Sequence, residues 1–284
     1  MAKEIGQVTA LLPAYEASTF IQKTLESLSA QSRKDLNVII SVDCCEDNTF
    51  EICQAHCRLD SRFTVFMQPE RLGFVENCNF LLSQAKTDYV FFAPHDDRLA
   101  SHYIEELCDV LDKRPEVIMV YSDLLLTYIS GNTETSIYTE IEGVADRTER
   151  GLSVLRKVGL WWVPFRGIFR LQSARHINGL KTHAAGEYSA DFPWLFHMSL
   201  LGEFARVPKT LCFKFYMPSG LTRALKHSKS QEYSVYMACM RELLNSRLSA
   251  LEKIRVTLPI IPKLTKLKIR IFIERACAWR TPNS

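Results

Sequence analysis

Three groups of acids in this 284-residue sequence have the residue types and the setting to do chemistry. Asp43 opens the run Asp43-Cys44-Cys45-Glu46-Asp47-Asn48-Thr49, directly after an apolar stretch. His95-Asp96-Asp97 follows the apolar run 89–93, one proline later, and Asp191 begins the apolar stretch to Leu201. Adjacent carboxylates such as Asp96 and Asp97 repel each other unless a cation or hydrogen-bond donors compensate. A Mg²⁺ or Mn²⁺ carrying a diphosphate would supply that compensation. A plainer reading makes Asp96 the cap of the next helix and Asp97 a solvated acid. It makes Asp43 a turn-closing side chain and Asp191 a helix cap. Both readings stand on these residues alone.

The elements that must position these groups follow from the hydrophobic pattern. Apolar runs at 8–12, 37–42, 63–67 and 89–93 predict strands buried on both faces. Helix-period segments at 19–31, 49–59, 75–85 and 101–113 lie between them, with Ser18 and Ser101 as capping signals. Strand–helix alternation at this spacing predicts a parallel α/β sheet. In such sheets ligands bind beyond the carboxyl ends of the strands, which is where Pro13-Ala14-Tyr15-Glu16, Asp43–Asp47 and Pro94–Asp97 fall. With no Gly-rich phosphate loop, phosphate charge would be met by a metal on carboxylates. After Glu116 the pattern predicts strands at 117–121, 124–130, 136–141 and 166–169. It also predicts a helix at 148–158, a helix at 190–201 stopped by Gly202, and strands at 205–207 and 211–215. Gly131-Asn132 reads as a turn, and 217–230 as a mobile loop. The last sixty residues read as helices broken near Pro259 and Pro262.

With these segments in order, the sequence resembles family 2 glycosyltransferases of the GT-A nucleotide-sugar fold. Val8-Thr-Ala-Leu-Leu-Pro-Ala-Tyr-Glu16 is similar to that family's opening strand, and Thr24-Leu25-Glu26-Ser27-Leu28 with Gln31 to its first helix. Ile40–Thr49 resembles its V-D-D-x-S-x-D-x-T turn, and Leu72-Gly73 with Asn79 its N-x-G…N segment. His95-Asp96-Asp97 falls on the D-x-D position, and Asp191 with Trp194 and Gly202 on the late E-D…G segment. The resemblance runs over about residues 8–216. It implies a GT-A-like, Rossmann-type mixed sheet flanked by helices, with a helical basic C-terminal extension. The implied division is a catalytic domain at 1–220, split into a nucleotide half (1–115) and an acceptor half (116–220), with the extension at 221–284.

What the resemblance implies about residues is specific. Pro13, Tyr15 and Asp43 would line the base and ribose pocket, Tyr15 by stacking and Asp43 by accepting hydrogen bonds. Asn79 and Asp96 would meet the nucleotide sugar, Asp96 at its ribose–diphosphate side. Asp97, with Asp96, would hold Mg²⁺ or Mn²⁺. Asp191 would be the general base of an inverting transfer. Arg223 would close on the diphosphate and His227 complete the metal shell, while Lys226 shares their basic loop. His183, Glu187, Trp161-Trp162 and Phe165-Arg166 could shape the acceptor site. The chain departs from the family pattern at His95, where the first Asp of D-x-D is usual, and at Val42 or Cys44, where a second acid would stand. It also lacks the Q-x-x-R-W motif of processive synthases, which implies addition of one sugar at a time.

Composition narrows the rest. A chain 47% hydrophobic and 24% charged packs as a globular protein. Its net charge of +3 is too mild to argue for nucleic acid, and none is expected as a partner. That average conceals a split: thirteen Lys/Arg against four acids from Arg223 onward give +9, leaving the body at −6. The interleaved basic and apolar residues from Lys253 to Arg280 suggest either docking on anionic lipid or packing on the body. Nine cysteines, an odd number without zinc spacing, read as reduced thiols. With no signal-peptide pattern and no spanning apolar run, the expected location is the cytoplasm, with peripheral attachment at the inner face of the cell membrane. The expected partners are a nucleoside-diphosphate sugar and a glycan or lipid-linked acceptor. Two rival readings remain, a sugar-phosphate nucleotidyltransferase and a non-catalytic nucleotide-sugar-binding protein.

Overall fold

A computed structural model describes residues 7–156, 159–216 and 228–278. Three parallel strands start the sheet: β1 (Val8–Ala14), β2 (Leu36–Val42) and β3 (Phe63–Met67), with β4 (Tyr89–Phe92) parallel to β1 on its other side. They are joined by α1 (Ile21–Ser29), α2 (Thr49–Leu59) and α3 (Gly73–Gln84). The sheet continues through β5 (Asp97–Leu99), β6 (Val117–Tyr128), β7 (Thr133–Ser136), β8 (Ile168–Arg170) and β9 (Glu203–Tyr216). Its order is β3-β2-β1-β4-β8-β6-β9-β5, with β7 paired to β6. β8 runs antiparallel between β4 and β6, so the sheet is mixed.

Helices cover both faces because β1 alternates with period two. Val8, Ala10 and Leu12 enter one apolar cluster with α1 and α4 (Tyr103–Lys113), while Leu11 enters the other. That second cluster gathers α3, α5 (Arg147–Arg156), α6 (Trp162–Phe165), α7 (Leu171–His176) and α8 (Asp191–Ser199). Trp194 lies at its centre, edge-on to Phe92, Phe165 and Phe169 with centroids 5.1–5.9 Å away. An aromatic of this size contributes about 3–5 kcal/mol against truncation to alanine.

Several boundaries differ from the sequence expectation. The two strands predicted around residue 122 are one strand, β6, and those at 205–207 and 211–215 are one strand, β9. Their parallel pairing carries register shifts at Ser122–Leu124, which absorb the irregularity near Pro208. Ser18 and Ser101 do not cap by side chain; the Ser18 N–H donates to Asp47 instead. The strand expected at 136–141 instead forms earlier, as β7, sharing only Ser136 with that range, and Gly131 (φ 83°) turns the β6–β7 hairpin as expected. Of the predicted 217–230 loop, 217–227 lies outside the described residues and the rest starts a helix.

The C-terminal region is α9 (Lys229–Asn245), α10 (Ala250–Thr257) and α11 (Ile261–Ala278), with a 3₁₀ turn at Leu258–Ile260 where Pro259 interrupts the ladder. α9 is integral to the body. It buries Val235, Tyr236, Cys239 and Leu243, and its buried Glu242 accepts from His197 Nδ1 (2.6 Å) and Lys181 Nζ (2.9 Å). Burial alone would push the Glu242 carboxyl up, but these two donors hold it below its ordinary value.

Candidate active site

The strand ends carry a nearly continuous ring of polar contacts. At β1, the Tyr15 ring is covered by the Arg71 guanidinium, 3.3 Å from the ring centroid. Arg71 also reaches Asp43 Oδ2 at 3.4 Å. Asp43 is buried, and its two oxygens accept from the backbone N–H of Leu72 (2.6 Å) and Gly73 (2.9 Å) at the start of α3. The next two N–H groups of that helix, Phe74 (3.1 Å) and Val75 (2.7 Å), donate to Glu187. Two carboxylates from distant segments thus satisfy the free donors and positive dipole end of α3. Gly73 is required here: its φ is +82°, and a Cβ would stand 2.8 Å from Glu187 Oε1.

Glu187 belongs to a loop that leads into Asp191. His183 shapes this loop, its Nε2 donating to the Tyr188 carbonyl (2.7 Å) and its Nδ1 accepting from Ala185 N–H (3.2 Å). That pattern requires the neutral ring, and burial lowers its pKa accordingly. Asn79 locks the preceding turn, donating to Leu180 O (3.0 Å) and accepting from Leu180 N–H (2.9 Å). The close approach leaves no room for a side chain at Gly179, where a Cβ would lie 2.2 Å from Asn79 Oδ1.

Asp191 opens α8, and its Oδ2 accepts from Trp161 Nε1 at 3.1 Å. Burial raises its carboxyl above the ordinary value, and neither the Trp161 donor nor the nearby Arg166 cancels that effect. Arg166, at the end of α6, makes a short ion pair with buried Asp97 and donates to Trp162 O (2.8 Å). Lys214 of β9 completes this side, 2.7 Å from Asp96 Oδ2 and 3.5 Å from Asp97 Oδ1. Burial works against ionised Asp96, but Lys214 and His95 prevail and hold its pKa down. His95 closes the ring: Nδ1 donates to the Pro13 carbonyl (3.1 Å) and the imidazole stacks on Phe20.

The helix motif singled out in the sequence has a mechanical role here. The buried Thr24 hydroxyl contacts the carbonyls of both His95 (2.9 Å) and Asp97 (2.8 Å). Gln31 donates to Ala100 O (2.8 Å) and accepts from Ile104 N–H (3.2 Å). Together they fix the 95–100 turn against α1.

The structure therefore brings Pro13, Tyr15, Asp43, Asp96, Asp97 and Asp191 to one rim. Asn79 faces the Leu180 backbone, while Arg223, Lys226 and His227 lie outside the described residues. The sequence reading left out Arg71 and Lys214 and gave Arg166 no charge partner. Lys214 reaches the acids only because β9 pairs antiparallel with β5, with Asp97 opposite Lys214. No short-range signal encodes a contact 117 residues apart.

Residues 9–134 match the model of glycosyl transferase family 2. Over this stretch the chain is similar to that family. Among relatives, a Campylobacter jejuni GalNAc(5)-diNAcBac-PP-undecaprenol beta-1,3-glucosyltransferase is 29% identical over 102 residues, covering 36% of this chain and 33% of that protein. Matches to two Streptococcus pneumoniae glycosyltransferases and one from Bacillus subtilis cover 14%, 38% and 42% of those proteins, so the chain spans less than half of each. Among solved structures, S. aureus TarS in complex with UDP-GlcNAc superposes with TM-score 0.68 at 15% identity, covering 88% of this chain and 70% of that one. A Pyrobaculum calidifontis mannosyltransferase in complex with GDP-Man and Mn²⁺ gives 0.57 at 13% identity, covering 98% and 76%. The fold shared with these neighbours is the GT-A glycosyltransferase fold.

Proposed function

We propose that this chain is an inverting glycosyltransferase. It moves one sugar from a nucleoside-diphosphate sugar to a glycan or lipid-linked acceptor in cell-surface polysaccharide or lipopolysaccharide synthesis. The observation that carries the reading is the division of labour on the rim. Asp96 is held charged by Lys214, whereas Asp191 has a raised pKa and no cation bonded to it among the described residues. Environments that push carboxylate pKa values apart mark acid–base roles. In this reading Asp191 accepts the proton of the acceptor hydroxyl as its oxygen attacks the anomeric carbon. The bond to the diphosphate breaks, and the diphosphate leaves with the electron pair. Tyr15, Pro13 and Asp43 border the base and ribose, with Arg71 moving off the Tyr15 face as the base stacks there. Arg223 would meet the diphosphate.

The donor chemistry of the rim suits Mg²⁺ or Mn²⁺, with one restriction. Among the described residues no three His, Cys, Asp or Glu side chains gather as a metal cage. Mg²⁺ commonly takes only one or two carboxylates and completes its shell with water and substrate phosphates. Asp96 Oδ1 makes no hydrogen bond among the described residues and fits that use, with Asp97 beside it and His227 a further ligand. A bound ion would stabilise charge on the departing diphosphate.

The test is a panel of UDP- and GDP-sugars with Mn²⁺, following nucleoside diphosphate release with an acceptor present. Release with the native chain and its loss in Asp191→Asn are the expected results. Full turnover in Asp191→Asn would overturn the base assignment. Failure of every donor and of UDP and GDP to bind would overturn the donor class. Binding without turnover would favour the non-catalytic alternative.

A further inference from the structure

α11 meets the body along a narrow seam. Leu267 is buried, and Lys263, Leu264 and Ile271 are half-buried, a spacing of three to four residues that marks one helix face. Lys263 binds the Tyr236 hydroxyl of α9 on that side. At about 100° per residue, Ile261, Ile269, Phe272 and Ile273 point the other way. They are 45%, 54%, 73% and 52% exposed. Leu258, in the turn before α11, extends the apolar strip. Exposed Lys266 and Arg270 line one flank of it, and exposed Lys268 lies on the other. From Ile261 to Ile273 there is no acid.

This helix is amphipathic in the sense opposite to a surface helix of a soluble body: its outward face is apolar and bordered by cations. We propose that the outward face of α11 is a docking surface for an anionic phospholipid bilayer. Ile269, Phe272 and Ile273 enter the interface, and Lys266, Lys268 and Arg270 meet lipid phosphates. Charge complementarity selects this occupant. Apolar insertion and basic attraction are the two contributions that make peripheral binding stable, and this end of the chain concentrates the +9 charge noted above. Among the described residues no helix is long and apolar enough to cross a membrane, so α11 lies along the surface. Docking does not depend on the donor chemistry proposed above.

The test is co-sedimentation of the full chain with phosphatidylcholine/phosphatidylglycerol vesicles and with pure phosphatidylcholine vesicles, across salt. Binding to the anionic vesicles that weakens with salt is expected. The double variant Ile269→Asp/Phe272→Asp should abolish it, and Lys266, Lys268 or Arg270→Gln should weaken it about fivefold each. Because all these side chains are exposed, the variants should melt like the native chain. Absence of binding at low salt would overturn the proposal, as would equal binding by the double variant. A dimer in light scattering that dissolves in that variant, with no vesicle binding, would assign the face to a second copy instead.

Discussion

The two carboxylate regions of the rim are built on opposite electrostatics. Asp96 and Asp97 sit among cations: Lys214 contacts both, and half-buried Arg166 grips Asp97. Asp191 accepts from a neutral side chain, the Trp161 indole, and burial raises its pKa despite the nearby Arg166. One region holds Asp96 charged, which suits the metal and diphosphate proposed above. The other makes the charged form costly, so its carboxylate gains by taking up a proton. A single fold reaches both results through what lies within a few ångströms of each acid.

Substitutions can break this contrast, and the largest effect is expected at Asp191. Asp191→Asn should lower kcat by roughly 10²–10⁴-fold, the usual value of a general base. It should also leave the protein as stable or more stable at neutral pH. An acid whose folded pKa is raised costs stability when ionised, and that cost is relieved as pH falls through the folded pKa. A fall in melting temperature would contradict the assigned environment. The same titration sets activity: the acidic limb of kcat should lie above the unperturbed aspartate value of about 3.9 and vanish with the residual rate in Asp191→Asn.

Arg166→Met should act in the reverse sense. It leaves Asp97 buried beside Lys214 alone, and breaking a buried pair from one side costs about 3–5 kcal/mol. Denaturant titration would show the loss, and an unchanged midpoint would mean that the pair does not hold the rim. A smaller effect is expected from Trp161→Phe. Removing the indole donor destabilises ionised Asp191, so the acidic limb should move up by about one pH unit, equivalent to about 1.4 kcal/mol. Asp146→Ala provides the control far from both acids. Asp146 accepts from the N–H groups of Thr148 (2.8 Å) and Glu149 (2.9 Å) at the start of α5, and its loss should cost about 1 kcal/mol with KM unchanged.

Much of the rim was legible in the sequence because the strands that carry it are local apolar runs. β1, β2 and β4 fall on their predicted segments, and the residues after them are necessarily at strand ends. The apolar helix starting at Asp191 was legible for the same reason. Strand boundaries after Glu116 were harder, since β6 and β9 pass through polar and proline-containing stretches that pairing overrides. Capping signals misled at Ser18 and Ser101, because other acceptors take the first N–H groups: Ala17 O those of Phe20 and Ile21, Ala100 O that of Tyr103 and Gln31 Oε1 that of Ile104.

By itself, then, the sequence determined which acids stand at the ends of which strands, since apolar periodicity and strand length are local properties. It also determined that basic and apolar residues alternate near the C-terminus. Only the tertiary structure decided what each acid faces. Arg166, Lys214 and Trp161 come from segments far along the chain, and it is the pairing of β5 with β9 and the packing of α6 on α8 that deliver them. Only the fold decided which side of α11 is turned outward, because that depends on where α9 offers a seam. A carboxylate's chemistry is set by groups a few ångströms away in space, and spacing along the sequence does not encode those neighbours.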